Sequence, residues 1–246
     1  MSGDLNAERH VPTNSSSLEG AAGDLIPVDP FYDRGYHGIH HRNLIEEDDY
    51  YRSRAETALR YWAHHEKSLR IFDYGCGVGQ SIALLPNAEG WDVSAEARQV
   101  CRSHGLRVYE TISEVPRRAY DRILCRHVLE HLEQPLDALR SMRELLAPDG
   151  ELLLILPRDE HWLPLSAEPD INQHLYCWTP RTIYNLLWRA SYRPLSVHFE
   201  YPFGQHALLP LRRLIGARIY HSAISVASRL FRRNGELVIR ASPLSY

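Results

Sequence analysis

The stretch Arg70–Gln80, RIFDYGCGVGQ, decides how the rest of the chain is read. Ile71, Phe72 and Tyr74 surround one acid, Asp73, and glycines follow at the alternate positions 75, 77 and 79. A short apolar run that ends in glycine is the pattern of a buried strand. Backbone freedom directly after it marks a turn at the strand's carboxyl end, where open α/β sheets bind small molecules. The dinucleotide fingerprint G-x-G-x-x-G would need glycine at position 80, but Gln80 stands there. The pattern present is D-x-G-x-G-x-G.

Outward from this turn, strand-like and helix-like segments alternate. EGWDV (89–93) reads as a second strand and SAEARQVCRSHG (94–105) as a helix with Ser94 as N-cap and Gly105 at its end. LRVYE is a third strand and YDRILCRH a fourth. QPLDALRSMRELLAPDG is an amphipathic helix closed at Pro148-Asp149-Gly150, and ELLLILP is a fifth strand. QSIALL is short enough for only a brief helix before Pro86. PLSVHFEY and GELVIRAS give strands six and seven, and TPRTIYNLLWRASY is a helix capped by Thr179 with Pro180 first. The order predicts an α/β fold, a doubly wound Rossmann-like sheet of seven strands with the last antiparallel.

Residues 1–26 are polar and lack an apolar signal core, so a disordered leader and a cytoplasmic location are expected. Residues 27–246 form one domain with an N-terminal helical cap at about 27–66, where Tyr51, Ala55, Ala58, Leu59 and Trp62 recur at helical spacing. A helical insertion at about 203–233 separates the last two strands. Lys and Arg total 28 against 31 Asp and Glu, a formal net charge of −3, so no nucleic-acid partner is expected. Four cysteines form no C-x-x-C pair and read as buried free thiols in a reducing compartment.

Together, DYGCGVG, GWDVSAEA, YDRILCRHVLEHLEQP and LLAPDGELLLILP resemble, in order and spacing, the motifs of class I S-adenosylmethionine-dependent methyltransferases. The resemblance covers roughly residues 50–200 and implies that S-adenosylmethionine is the cofactor. It places Asp73 at the donor's ammonium, and Gly75, Cys76 and Gly77 beside its methionyl part. Asp92, nineteen positions after Asp73, falls at the ribose hydroxyls with Val93 next to it. Thr111 and Ile112 read the adenine, with Glu110 and Glu114 as alternatives. Arg126 and His127 line the donor site.

HVLEH (127–131) matches an inverted zinc-protease motif, yet it follows a strand at the cofactor edge, the wrong context. Small-RNA 2′-O-methyltransferases and ubiquinone-pathway O-methyltransferases are similar here and bind a divalent ion through E-x-x-E-H. His127 replaces the first of those glutamates, so no metal is expected. Glu130 and His131 then cap or pack the following helix. His174, in INQHLYCWTP, is the candidate general base for a hydroxyl acceptor; the alternative is a structural loop histidine. His161 is a weaker base. Trp162, Tyr176 and Trp178 wall the acceptor pocket or anchor the loop, and Tyr36, His40 or Tyr51 fold over the donor.

The implied reaction is methylation of a small-molecule, sugar or lipid-linked hydroxyl. N-methylation and a cofactor-binding partner subunit without catalysis are the alternatives. The insertion carries six arginines and no acid, and three readings stay open for it. They are a peripheral membrane contact, a lid gripping an anionic group, and a packed surface hairpin or homodimer contact.

Overall fold

A computed structural model describes residues 41–158, 172–200, 208–231 and 235–244. Helices α1 (Arg42–Glu46) and α2 (Asp48–Ala58) precede β1 (Ile71–Tyr74). Then follow β2 (Ala88–Trp91), α3 (Ala95–Ser103), β3 (Arg107–Val108), β4 (Tyr120–Arg126), α4 (Pro135–Leu145) and β5 (Leu146–Pro157). The last elements are α5 (Pro180–Arg189), β6 (Tyr192–Glu200), α6 (Leu209–Ile215), α7 (Ala217–Phe231) and β7 (Glu236–Pro243). The expected leader, Tyr36, His40, His161 and Trp162 lie outside the described residues. No helix among the described residues is long and apolar enough to cross a membrane.

The seven strands form one sheet in the order β3-β2-β1-β4-β5-β7-β6. Strands β1 to β5 are parallel, and β7 runs antiparallel to both β5 and β6. This is the expected architecture. Parallel strands are covered on both faces, which is why β5 reads as an unbroken apolar run. On one face Phe72, Tyr74, Cys125, Leu152, Leu154 and Leu156 pack with Leu139 and Met142 of α4 and Ile183 and Leu187 of α5. On the other, Ile71, Leu124, Leu153 and Ile155 meet Tyr61 and Trp62, which follow α2.

Some local expectations change. QSIALL makes no helix; Ile82, Leu85 and Ala88 instead donate in succession to the carbonyls of Gly79, Ile82 and Leu85. Pro86 removes a donor after too few residues for an α-helical nucleus, so the chain advances by three-residue turns. β3 has only two residues. The Pro148–Gly150 corner belongs to β5, whose pairing with β4 shifts register between Tyr120 and Arg122. A Cβ on Gly150 would sit 2.8 Å from the Tyr120 carbonyl oxygen, which explains the glycine. Of the four cysteines, Cys76, Cys101 and Cys125 are buried but Cys177 is exposed, because its segment lies over the sheet edge rather than in a layer.

The cap is fastened to the sheet by Glu66, which is buried and accepts from the Ala63 amide (2.8 Å), Arg122 (3.0 Å) and Arg240 (2.7 and 2.9 Å). Burial alone would push this carboxyl up, but those donors outweigh it and hold the group at about 2. A carboxyl depressed in the folded state stabilises the fold above its unfolded pKa, and that contribution is lost as pH falls through the folded one. Urea unfolding of the wild type and Glu66→Gln should therefore differ by roughly 2 kcal/mol at pH 7. The gap should shrink between pH 4.5 and about 2. A pH-independent gap would contradict this assignment.

Candidate functional site

At the carboxyl ends of β1, β2 and β4 the chain gathers Asp73, the glycine turn, Asp92 and Arg126. Asp73 is buried within β1, paired with Gly90 of β2 and Leu124 of β4. Its Oδ1 has no hydrogen-bond partner among the described residues. Burial pushes its carboxyl up to about 8, against the pull of Arg126 and with a further push from Asp92. Such an oxygen suits a cationic partner.

Gly75 and Gly77 have φ of 77° and 53°, a region that favours glycine. At Gly75 a Cβ would also collide with Val128 Cγ2 at 2.4 Å, so the space beside the turn is taken by protein. The Gly75 and Cys76 amides donate to the Trp91 carbonyl (2.8 and 3.0 Å), and the Gly77 amide donates to Asp92 Oδ2 (2.7 Å). These donors are spent inside the fold, and what the turn can offer a ligand is close approach and carbonyl oxygens. The Cys76 side chain points inward, its Sγ 3.9 Å from that of Cys101.

Asp92 follows β2 and is buried, with Oδ1 accepting from the Ser94 amide at 2.9 Å. Ser94 in turn caps α3 by accepting from the Ala97 amide. Arg98 donates to the carbonyls of Asp92 and Val93 (2.7 and 2.9 Å), fixing both residues. Thr111 and Ile112 lie just beyond β3, where Ile112 packs on the main core and the Thr111 hydroxyl bonds Ser113. Glu110 is exposed and paired with Arg98 and Arg102. Glu114 receives the Glu110 amide.

Sequence reasoning missed Glu236. Because β7 is antiparallel, its first residue reaches the same edge as the last residues of the parallel strands. Buried Glu236 accepts from Arg126 Nη2 (2.7 Å) and from Tyr61, and its Oε1 lies 2.8 Å from His127 Nε2. Burial would raise its carboxyl, but Arg126, His127 and Tyr61 hold it well below the usual range. Tyr61 is pushed up to about 12 by burial and by Glu236. The available signal was an acid heading the apolar run ELVI. Tyr51, one of the residues expected to fold over the donor, is buried against the glycine turn and donates to the Val78 carbonyl at 3.2 Å.

HVLEH is not helical through its length. His127 has φ of 55°, and a single 3-10 turn spans Leu129–His131. Of the expectation that Glu130 and His131 cap or pack the next helix, the capping is corrected, while their 3-10 turn does contact α4. α4 begins after Gln134 with no side-chain cap, and Glu130 is fully buried. Glu130 Oε1 lies 3.6 Å from His127 Nδ1 and 3.9 Å from His131 Nε2. The Glu130 carbonyl accepts from the Leu175 amide at 2.7 Å, which docks the segment carrying His174. The His174 ring meets His131 edge to face at 4.8 Å. Ligand atoms of Glu130, His131 and His174 all fall within 4.8 Å of one another, so this trio could hold a metal ion, with His174 rather than a residue at position 127 as the third ligand. Tyr176 stacks on Trp178 and donates to the Glu133 carbonyl at 3.2 Å, which makes it an anchor of this segment.

A family model described as a methyltransferase domain matches residues 45–197. The chain is 32% identical to a ubiquinone biosynthesis O-methyltransferase of Erwinia tasmaniensis, over 38% of this chain and 46% of that protein. The chain thus spans less than half the length of the curated relatives it matches. The Burkholderia thailandensis 1,6-didemethyltoxoflavin-N1-methyltransferase, solved with 1,6-didemethyltoxoflavin and S-adenosylhomocysteine, superposes with a TM-score of 0.53 at 17% identity, covering 86% of this chain and 84% of that one. A Haemonchus contortus phosphoethanolamine N-methyltransferase 2, with phosphomonomethylethanolamine and S-adenosylhomocysteine, gives 0.57 at 16%, covering 87% and 60%. At those identities the likeness is one of fold.

The Asp73 environment generates a test. A carboxyl whose pKa is raised by folding penalises the folded state as pH rises from its unfolded value to about 8. Asp73→Asn should melt roughly 2–6 °C above the wild type at pH 9. The advantage should vanish near pH 4. An equal shift at both pH values would show that Asp73 is not a strained buried acid.

Proposed function

Because the chain belongs to the class I S-adenosylmethionine-dependent methyltransferase family, we propose that it methylates a hydroxyl group of a small molecule, a sugar or a lipid-linked intermediate. The observation that carries this reading is the meeting of Glu130, His131 and His174 next to the Asp73 edge. The relatives named as O-methyltransferases support oxygen over nitrogen as acceptor. An amine acceptor would need only its free lone pair and no such cluster.

S-adenosylmethionine, when bound, supplies an electrophilic methyl group on a sulfonium. The residues at the sheet edge fit it: the buried Asp73 oxygen calls for a cation, as the donor's ammonium is. Asp92, braced by the Gly77 and Ser94 amides, is held at the edge where a carboxylate accepts from ribose hydroxyls. Gly75, Cys76 and Gly77 contribute backbone at the methionyl end, Val93 and Ile112 apolar contact, and Thr111 a polar edge for the adenine. Arg126 and His127, held by Glu236, form the floor between donor and acceptor.

His174 accepts the proton of the acceptor hydroxyl as the oxygen attacks. The Glu130 carboxylate, beside His131, stabilises the positive charge that His174 gains. Alignment and exclusion of water supply the rest of the rate.

A second reading rests on the same trio. Glu130, His131 and His174 would then hold a divalent ion, which would supply Lewis-acid chemistry at the acceptor and make His174 a ligand rather than a base. Peripheral membrane contact and a homodimer are further parts of the proposed setting.

Incubation with methyl-labelled donor and a metabolite extract should label a product that resists acid hydrolysis as an ether does. His174→Ala should lower kcat by roughly 10²–10⁴ while S-adenosylhomocysteine affinity stays unchanged. Full activity in the variant would remove His174 from the chemistry. Activity that a chelator abolishes and a divalent ion restores would select the metal reading.

A further inference from the structure

The α6–α7 hairpin has two apolar faces, and only one is used. Leu209, Tyr220 and Ile224 turn inward and are buried. Arg212 (2.7 Å) and His221 (3.0 Å) are tied to Glu56 of α2, and Arg213 to Asp49. Outward, Ile219, Val226 and Leu230 recur at i, i+7 and i+11, which puts them on one stripe of α7. They are 63%, 60% and 75% exposed, and Leu214 at the end of α6 is 83% exposed. Burial of this kind of surface is what water favours, so an open aliphatic stripe marks a contact.

Charge says what kind. Residues 207–234 contain six arginines and no Asp or Glu, in a chain whose formal net charge is −3, and two of the six, Arg212 and Arg213, are already paired with acids of α2. Arg218 is exposed, one residue and about 100° from Ile219 around the helix, at the border of the stripe. A second copy docked about a two-fold axis would set this basic segment against itself. A nucleic acid would pair the arginines but leave four aliphatic side chains against phosphate. An anionic bilayer surface accepts both, with aliphatic side chains among the acyl chains and arginines at the headgroups.

We propose that the outer face of α6–α7 seats the protein on an anionic lipid surface, lying in the interface rather than crossing it. The hairpin is one helix away from the donor edge. α2, which holds it through Glu56, also places Tyr51 on the Val78 carbonyl of the glycine turn. Seating there brings the candidate site close to hydroxyls carried on lipids. The lipid contact does not depend on the methyl-transfer reading, and the two can fail separately.

The test is flotation of the full chain with phosphatidylcholine vesicles, with or without roughly one-third phosphatidylglycerol. The protein should float with the anionic vesicles at low salt, less at high salt, and little with phosphatidylcholine alone. Ile219→Glu combined with Val226→Glu should lower lipid affinity at least about tenfold without changing the melting temperature, since both side chains are exposed. Arg218→Gln should lower it roughly fivefold. Three results would overturn the proposal: no flotation at low salt, undiminished flotation of the double variant, or a lipid-free dimer that the double variant dissociates. S-adenosylhomocysteine binding by the same samples reports on the catalytic edge independently.

Discussion

Glu236 and Arg126 form the ion pair on which the candidate site depends. Glu236 is buried and Arg126 largely so, at the ends of β7 and β4, which flank β5 in the sheet and lie far apart in sequence. Burying either charge alone would cost several kcal/mol, so each holds the other in its ionised form. Burial acts to lower the Arg126 pKa, but Glu236 and Tyr61 raise it beyond its ordinary value. The pair also recruits His127 and Tyr61, so one carboxylate joins the cap, the end of β4 and the start of β7. Asp73 sits within the field of Arg126 but is not neutralised by it. That leaves an acid poised for a cation, at the bottom of a cradle whose walls are already satisfied.

The glycine turn shows how much of a binding loop serves the fold. Its amides go to Trp91 and Asp92, the space beside Gly75 goes to Val128, and the Cys76 side chain goes to the interior. Positive φ at Gly75 and Gly77 lets three successive residues turn while their donors are paired. Asp92 therefore has two duties, bracing the turn and facing the edge. A change there would disturb the backbone of the cradle along with any ribose contact.

Around this edge the loops differ in how they are held. The segment carrying His174 is docked through hydrogen bonds from the Leu175 and Tyr176 amides to one carbonyl, that of Glu130. This segment is thus fastened to the same residue whose carboxylate lies among the histidines. Fold likeness says nothing of which acceptor binds, because chemistry in such folds belongs to the loops.

The sequence by itself determined the layer order, the strand that carries the cradle and the two acids flanking it. Those features are local: apolar runs, glycines at fixed offsets, Ser94 and Thr179 as caps, and an acid about twenty positions on. It misjudged QSIALL and the Pro148–Gly150 corner, where a proline or a cross-strand carbonyl outweighed propensity, and it made β3 longer than its two residues. Tertiary structure alone decided that Glu236 meets His127, that Glu130 lies between two histidines, and that His174 arrives beside them. Those contacts join residues up to 109 positions apart, and their partners are set by the reversed direction of β7 and by backbone docking across the sheet edge. No periodicity in the chain encodes such meetings, because the forces that select them act only once the sheet is closed.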